Sequence, residues 1–296
     1  MKTEALDPRY RDLDRWPTEA AVEAMLEGQM AAIAAIQSQT RAIALAADAA
    51  ASRLGERGRL VFVGAGTSGR LAVQDGAELH PTFGWPIERL VFLMAGGTGA
   101  LTQAYEGAED DAAAARAEIG AAEVGASDVV IGVAASGRTP YTLAAIDAAR
   151  AAGALTIAIA NNAGSALLDA AEHPICAVTG SEVLAGSTRM KAGTAQKAIL
   201  NILSTAIMLR RGLVYDGRMV AMRISNAKLL QRGRTMVAEI AGVDPETASK
   251  ALDAAHNDIR LGVLVALGLS LAEAKSALDT AAGDLRRAIE AMSARA

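Results

Sequence analysis

Apolar, β-branched runs recur through the middle of the chain and alternate with stretches of helical spacing. Five such runs are candidate strands, at residues 59–64, 89–95, 128–134, 154–160 and 174–178. Near-continuous apolar strands separated by helices are typical of a parallel sheet that is covered on both faces. The pattern therefore predicts an α/β fold.

Helical periodicity dominates both flanks of this α/β region. Residues 1–17 are polar and indicate an extended arm, and the helical spacing from Thr18 onward places Met25, Met30 and Ile33 in a core. Strands cease after Gly217. The later helices are predicted at 191–211, 218–241, 245–256, 258–267, 270–281 and 284–294. Three domains follow: an N-terminal arm with helices (1–57), an α/β domain (58–216) and a small helical domain (217–296).

Composition narrows the class of protein. The chain has 296 residues, 52% of them hydrophobic, and a net charge of −4. This favours a folded core and argues against nucleic acid as a main partner, because there is no long basic run. The three histidines show no metal-ligand spacing, and Cys176 lies in an apolar run that suits a buried structural thiol. With no apolar N-terminal segment and no span long enough for a bilayer, we expect a cytoplasmic protein that has no membrane contact.

The first predicted strand ends in a loop suited to an anion. Residues 64–70 have the sequence GAGTSGR, so glycines allow close approach of backbone N–H groups and Thr67 and Ser68 add hydroxyls. The glycines also match the dinucleotide fingerprint, which expects an acidic residue near the end of the next strand. That strand runs instead into Ala95-Gly96-Gly97. A phosphate monoester is therefore favoured over a dinucleotide.

Two further segments repeat this chemistry. Residues 136–141 (SGRTPY) follow the third strand, with Thr139 placed to cap a helix that begins at Pro140. Residues 186–197 (GSTRMKAGTAQK) stand at the start of the long helix, whose N-terminus would favour phosphate, and the preceding Glu182 could pair with Arg189 or Lys191. Loops at the carboxyl ends of parallel strands are where open α/β sheets bind ligands.

Two acidic segments flank these loops, at 75–81 and 106–111. Spacing alone indicates an exposed helix end and a solvated charge run. A pair of carboxylates beside a bound sugar phosphate could also move protons without a metal or a cofactor. One would act as a base, and the other would be kept protonated by burial or by its like-charged neighbour.

These motifs resemble the N-acetylmuramic acid 6-phosphate etherases of the sugar isomerase (SIS) domain superfamily. The resemblance rests on residues 64–71, 134–141, 186–197 and 106–110, and on the segment that contains Glu78 and Pro81-Thr82. It is dense over about 59–215 and looser in the flanks. It implies a SIS-type three-layer sandwich with a five-stranded parallel sheet, N-terminal helices and a small C-terminal all-helical domain. It also implies a homodimer.

The resemblance implies cleavage of a D-lactyl ether, which yields N-acetylglucosamine 6-phosphate and D-lactate without a cofactor. Glu78 would be the proton donor, and Glu109 the second catalytic carboxylate and the base at C2. The implied substrate-binding residues are Thr67, Ser68, Gly69, Ser136, Gly137, Arg138, Thr139, Ser187, Thr188 and Lys191.

Two other functions fit the same fold. A non-catalytic sugar-phosphate sensor would bind the ligand without turnover, and retention of Glu78 and Glu109 argues against it. An aldose–ketose isomerase would also use a carboxylate base, but it would form a ketose and no lactate.

Overall fold

The computed structural model of the chain describes residues 1–103 and 105–294. Its sheet consists of parallel strands in the order β2-β1-β3-β4-β5. The strands are β1 (Leu60–Gly64), β2 (Leu90–Met94), β3 (Val129–Val133), β4 (Leu155–Ala160) and β5 (His173–Cys176). Every residue of β1, β3 and β4 is buried, so helices cover both faces of the central strands, as the sequence predicts.

The helices surround and follow this sheet. They are α1 (Thr18–Ala34), α2 (Thr40–Leu54), α3 (Gly66–Ala77), α4 (Leu79–Phe83), α5 (Ala112–Ala121), α6 (Pro140–Ala151), α7 (Ala166–Ala170), α8 (Lys191–Arg210), α9 (Ala227–Ala241), α10 (Pro245–Ala254), α11 (Ile259–Ala266), α12 (Leu271–Thr280) and α13 (Leu285–Ser293). The α/β fold with a five-stranded parallel sheet is confirmed.

The register of the sheet brings the candidate ligand loops level with one another. Gly64 at the end of β1 pairs with Met94 of β2 on one side and with Val133 of β3 on the other. The chain leaves β1 towards β2 and then returns to the far side of β1 as β3, so the strand order reverses there. Ligands of open α/β sheets bind at such a switch point, outside the carboxyl ends of the strands.

The chain divides into two compact units that are not continuous in sequence. One unit contains residues 1–77 and 88–206, and the other contains residues 78–87 and 207–296. The short segment 78–87, which carries α4, thus belongs with the C-terminal helices. The domain limits of the sequence analysis stay a prediction.

Helices α9–α13 form the apolar core of the second unit, in which Val237, Leu252 and Leu264 are fully buried. Aspartate side chains cap several of these helices, and Ser270 and Glu273 form a capping box at the start of α12. The predicted helix start at residue 218 is wrong. Tyr215 pairs with Arg218 in an isolated bridge, and α9 begins only at Ala227, where Asn226 caps it.

Two predictions for the N-terminal region also need correction. Residues 1–17 contain three short 3-10 turns instead of an extended arm, and Thr3 is buried on the same unit, where it accepts a hydrogen bond from Asn162 Nδ2 at 3.0 Å. On α1, Met30 and Ile33 are exposed and Met25 is half-buried, so these side chains lie outside the core.

Among the described residues, no single helix has the length and apolarity to cross a bilayer. One pair of helices, α11 and α12, bent by 118° relative to each other, passes such a test of length and composition only when taken together.

Candidate active site

A cavity of about 420 Å³ opens beside the carboxyl ends of β1 and β2. It brings together Thr67 of the first loop and Glu109 of the acidic segment that follows β2, two residues that the sequence analysis assigns to one site. Its lining residues are Ala65, Gly66, Thr67, Arg70, Met94, Ala95, Ala100, Gln103, Tyr105, Glu106, Gly107, Ala108 and Glu109. A hydroxyl and two carboxylates therefore face the same space.

The first loop is held from behind by a buried chain of hydrogen bonds. Ser68 Oγ donates to Gln196 Oε1 at 2.9 Å, and Gln196 Nε2 donates to Asn161 Oδ1 at 3.0 Å. Asn161 Nδ2 in turn donates to the carbonyl of Ala177 at 3.0 Å. The hydroxyl of Ser68 thus donates its proton to Gln196, and only its oxygen, held in a fixed position, could accept a hydrogen bond from a ligand. Sequence reasoning missed Asn161 and did not assign a role to Gln196.

Gly69 serves packing at this loop. A Cβ at this position would lie 2.3 Å from Met94 Sδ and 2.6 Å from the carbonyl oxygen of Gly64. The glycine therefore lets α3 approach β1 and β2 closely, which is the third glycine's role in the fingerprint pattern. Gly66, with φ of +53°, makes the sharp turn from β1 into α3.

The second loop, after β3, presents hydroxyls in different states. Ser136 Oγ accepts a hydrogen bond from the amide of Arg138 at 3.1 Å. Thr139 occupies the predicted N-cap position of α6, but its side chain makes no capping hydrogen bond. Gly137 is tightly packed, since a Cβ there would meet Ser165 Oγ at 2.1 Å. Thr139 thus keeps its hydroxyl for another partner.

The start of α8 differs from the prediction. The buried carboxylate of Glu182 accepts hydrogen bonds from the amides of Lys191 (2.8 Å) and Ala192 (2.9 Å). A protein anion therefore already occupies these two amides, so a phosphate bound at the start of α8 would use other donors. Lys191 is itself buried, and its Nζ donates to the carbonyl of Ser181 at 2.8 Å. Ser187 and Thr188, just before the helix, are partly exposed.

The two predicted catalytic carboxylates lie on different compact units. Glu109 lies on a short 3-10 turn, Ala108–Asp110, and is exposed at the cavity of the first unit. Glu78 lies at the N-cap of α4 in the second unit and is also exposed. Neither of the two carboxylates is therefore buried.

Three other polar side chains, those of Asp75, Tyr141 and Cys176, lie in environments that indicate structural roles. Asp75 is buried and pairs with Lys197 at 2.9 Å, so the prediction of an exposed acidic helix end is wrong for this residue. Tyr141 is buried, and its hydroxyl donates to Glu118. Burial raises the pKa of the Cys176 thiol, which favours the unreactive protonated form, although Cys176 is only partly buried. Within the described residues, no group of three or more His, Cys, Asp or Glu side chains could hold a metal ion.

Comparisons with known proteins define the class first. Residues 42–150 match the family model of the glucokinase regulatory protein N-terminal SIS domain, and residues 111–206 match that of the SIS domain. A crystal structure of a Bacteroides fragilis protein, described as a putative phosphosugar isomerase involved in capsule formation, has a TM-score of 0.54 at 20% identity. It covers 68% of this chain and 95% of its own. The protein is thus a SIS-domain protein.

Relatives of nearly full length then give the family. The chain is 47% identical to the N-acetylmuramic acid 6-phosphate etherase of Deinococcus radiodurans, over 97% of this chain and 95% of the relative. It is 44% identical to the enzyme of that name from Rubrobacter xylanophilus, over 98% and 96% of the two chains. The chain belongs to the N-acetylmuramic acid 6-phosphate etherase family.

Proposed function

We propose that the protein cleaves the D-lactyl ether of N-acetylmuramic acid 6-phosphate to give N-acetylglucosamine 6-phosphate and D-lactate, a step in the recycling of cell-wall amino sugars. The observation that carries this proposal is the similarity to etherases over nearly the whole chain. The cavity that Glu109 shares with Thr67 supports it.

The phosphate is held by the loops at the switch point of the sheet. Backbone amides and hydroxyls suit the phosphate oxygens, and Arg138 adds a cation. The proposed contacts are Thr67, Ser136, Arg138, Thr139, Ser187 and Thr188. Ser68, whose hydroxyl donates to Gln196, and Gly69 and Gly137, whose amides donate to backbone carbonyls, shape the loops around the phosphate. Lys191 takes a supporting role in this proposal, because its ammonium is used on the carbonyl of Ser181.

The carboxylates carry the proton transfers. Ring opening exposes an aldehyde at C1, which acidifies the proton on C2, and Glu109 removes that proton. The C3–O bond then breaks, and Glu78 protonates the departing lactyl oxygen. Water adds to C3 of the unsaturated aldehyde as C2 regains a proton, so one water is consumed and the ether oxygen leaves with lactate.

The test is to incubate the purified protein with N-acetylmuramic acid 6-phosphate and to measure D-lactate. Glu78→Gln and Glu109→Gln should each lower its release by about 10²–10⁴-fold, because each removes a general acid or base. Glu290→Gln, at an exposed position on α13 that is not among the residues lining the cavity, makes the same chemical change and is the matched control.

Isotope labelling tests which C–O bond of the ether breaks. In water enriched in ¹⁸O, the label should enter the sugar at C3 and should be absent from lactate. Labelled lactate would contradict cleavage of the C3–O bond.

Ligand binding without turnover would favour a sensor, and a ketose product without lactate would favour an isomerase. Normal turnover by either site variant would refute its proposed role.

We also propose that the protein acts in the cytoplasm as a homodimer. The support for a dimer is an apolar stripe on α1. It is formed by Val22, Leu26, Met30 and Ile33, whose side chains are each about half exposed. Spacings of three and four residues place these side chains on one face of the helix, and such a face favours burial against another chain.

A further inference from the structure

Arg70 lines the same cavity as Thr67 and Glu109, yet its guanidinium faces the backbone of the protein. Its Nε donates to the carbonyl of Ala100 at 2.9 Å, and its Nη2 donates to the carbonyl of Gln103 at 2.9 Å. Arg70 belongs to α3, the helix that begins with the proposed phosphate loop. One side chain thus ties that helix to the segment that follows β2.

The segment that Arg70 holds leads directly to the acidic residues. Ala100 lies in a short 3-10 turn, Thr98–Leu101, and is buried. Tyr105 folds back over this turn, since a Cβ at Gly99 would lie 2.6 Å from its hydroxyl oxygen and one at Gly96 would lie 3.0 Å from its Cβ. Glu106 and Glu109 follow within four residues.

The far end of the same segment is also fixed. Asp111 caps α5 by accepting a hydrogen bond from the amide of Ala114 at 2.8 Å. Glu109 therefore lies between an anchored helix start and the stretch that Arg70 grips. Loosening the grip would free one of the two ends that set the position of this carboxylate.

We propose that Arg70 is a positioning residue, which fixes the carboxylate of Glu109 relative to the loop that binds the phosphate. This rests on the proposed function, because it takes Glu109 as the base at C2. The rigid, planar guanidinium holds two carbonyls at once, which a lysine ammonium on a flexible stem does less well. Small displacements of a catalytic group cost rate more than binding.

The opposing possibility is that Arg70 contacts the phosphate itself. The two possibilities predict different kinetics. A positioning residue acts on kcat, because the substrate remains bound by the loops. A phosphate ligand acts on KM and on the affinity for inorganic phosphate.

The experiment compares Arg70→Gln and Arg70→Lys with Arg53→Gln. Arg53 is the matched control because its Nη1 also donates to two backbone carbonyls in the same unit, those of Ala126 (3.0 Å) and Gly153 (2.9 Å), away from the cavity. The measurements are kcat and KM for D-lactate release, inhibition by inorganic phosphate, and amide hydrogen exchange of peptides that span 96–111.

We expect Arg70→Gln to lower kcat by about 10–100-fold while KM and the phosphate inhibition constant change less than about threefold. Exchange within 96–111 should become faster in the same variant, with a smaller effect in Arg70→Lys. Arg53→Gln should leave kcat and this exchange unchanged. If Arg70→Gln does not fold, Arg70→Lys, which keeps the charge, is compared with Arg53→Gln instead.

Unchanged kcat and exchange in the Arg70 variants would overturn the proposal, as would a rise in KM and in the phosphate inhibition constant with kcat intact. Failure of the proposed function is distinguishable, because the wild-type protein would then release no D-lactate. The exchange measurement needs no substrate, so it tests the hold on the segment in either case.

Discussion

Asp128 shows at the scale of one residue how the end of the sheet opposite the site is held. Its carboxylate accepts hydrogen bonds from the amides of Arg59 (2.9 Å) and Gly125 (3.0 Å) and from the guanidinium of Arg59 (2.7 Å). Burial opposes its ionisation, but these donors hold the pKa of Asp128 below its usual value. The native state therefore favours the charged form.

Asp128→Asn should lower the free energy of unfolding at pH 7 by about 2–4 kcal/mol, because buried donors lose a charged acceptor. A carboxyl whose pKa is depressed by folding stabilises the native state above its unfolded pKa, and this contribution is lost as the pH falls through the folded pKa. The difference between wild type and variant should thus shrink below about pH 4. Urea denaturation from pH 7 to pH 3 measures it.

Asp147→Asn, at an exposed position on α6, is the control and should change stability little at any of these pH values. A difference between wild type and Asp128→Asn that stays constant from pH 7 to pH 3 would contradict the role of the charge.

Residue types were easier to predict than their partners. Ser68 and Thr139 follow apolar strands, which is visible in the sequence. Ser68 lies in the first turn of α3, and Thr139 lies at the N-cap of α6. Whether each hydroxyl makes a hydrogen bond within the protein depends on residues far away in sequence. The hydroxyl of Ser68 donates to Gln196, whereas the hydroxyl of Thr139 makes no capping hydrogen bond to α6. The sequence predicts Lys191 as a phosphate ligand, but Glu182 and Ser181 occupy its surroundings. Which partner each of these side chains takes therefore depends on tertiary contacts.

At the scale of elements, the strands were predicted to within about two residues, because their apolar runs are continuous and end in glycine or polar residues. The start of α9 was missed by nine residues. Here Arg223 donates its amide to the carbonyl of Pro81 at 3.1 Å, a contact with a segment far away in sequence. Local periodicity does not report such a contact.

Gly84 tests this contact between residues 78–87 and 220–223. Its φ is +62°, and a Cβ would lie 2.4 Å from the carbonyl oxygen of Ala221. Gly84→Ala should destabilise the protein by more than the roughly 1–2 kcal/mol that left-handed backbone alone costs an alanine. D-lactate release should also fall, because Glu78 lies on the same segment. Thermal unfolding and the lactate assay measure the two effects.

Gly242→Ala is the matched control. Its φ is +68°, and no atom lies within 4 Å of the added Cβ, so it carries the backbone strain without the collision. Equal destabilisation by the two variants would show that the close approach of Gly84 to Ala221 contributes nothing.

At the scale of the whole molecule, the second compact unit is not continuous in sequence. The stretch 78–87 lies between two elements of the α/β unit, yet its contacts assign it to the C-terminal helices. The fold class follows from the apolar pattern alone. Membership of this short stretch depends on backbone contacts such as that of Arg223 with Pro81, which no local pattern reveals.

The proposed dimer gives the prediction for the assembled protein. Met30→Asp places a charge on the exposed stripe of α1, where Met30 is 58% exposed, and should convert a dimer into a monomer in sedimentation velocity. Leu267→Asp, at an exposed apolar position in the other unit, should leave the dimer intact. A wild-type protein that sediments as a monomer, or a Met30→Asp protein that remains dimeric, would refute the role of the stripe.

The discontinuous second unit has a consequence for biosynthesis. Residues 78–87 are synthesised before residues 88–206, but the helices with which they pack are translated only afterwards. A growing chain could therefore complete its parallel sheet before the helices that pack against residues 78–87, the segment that carries Glu78, have been synthesised. Translation products that end before residue 207 should therefore fold in part and release no D-lactate.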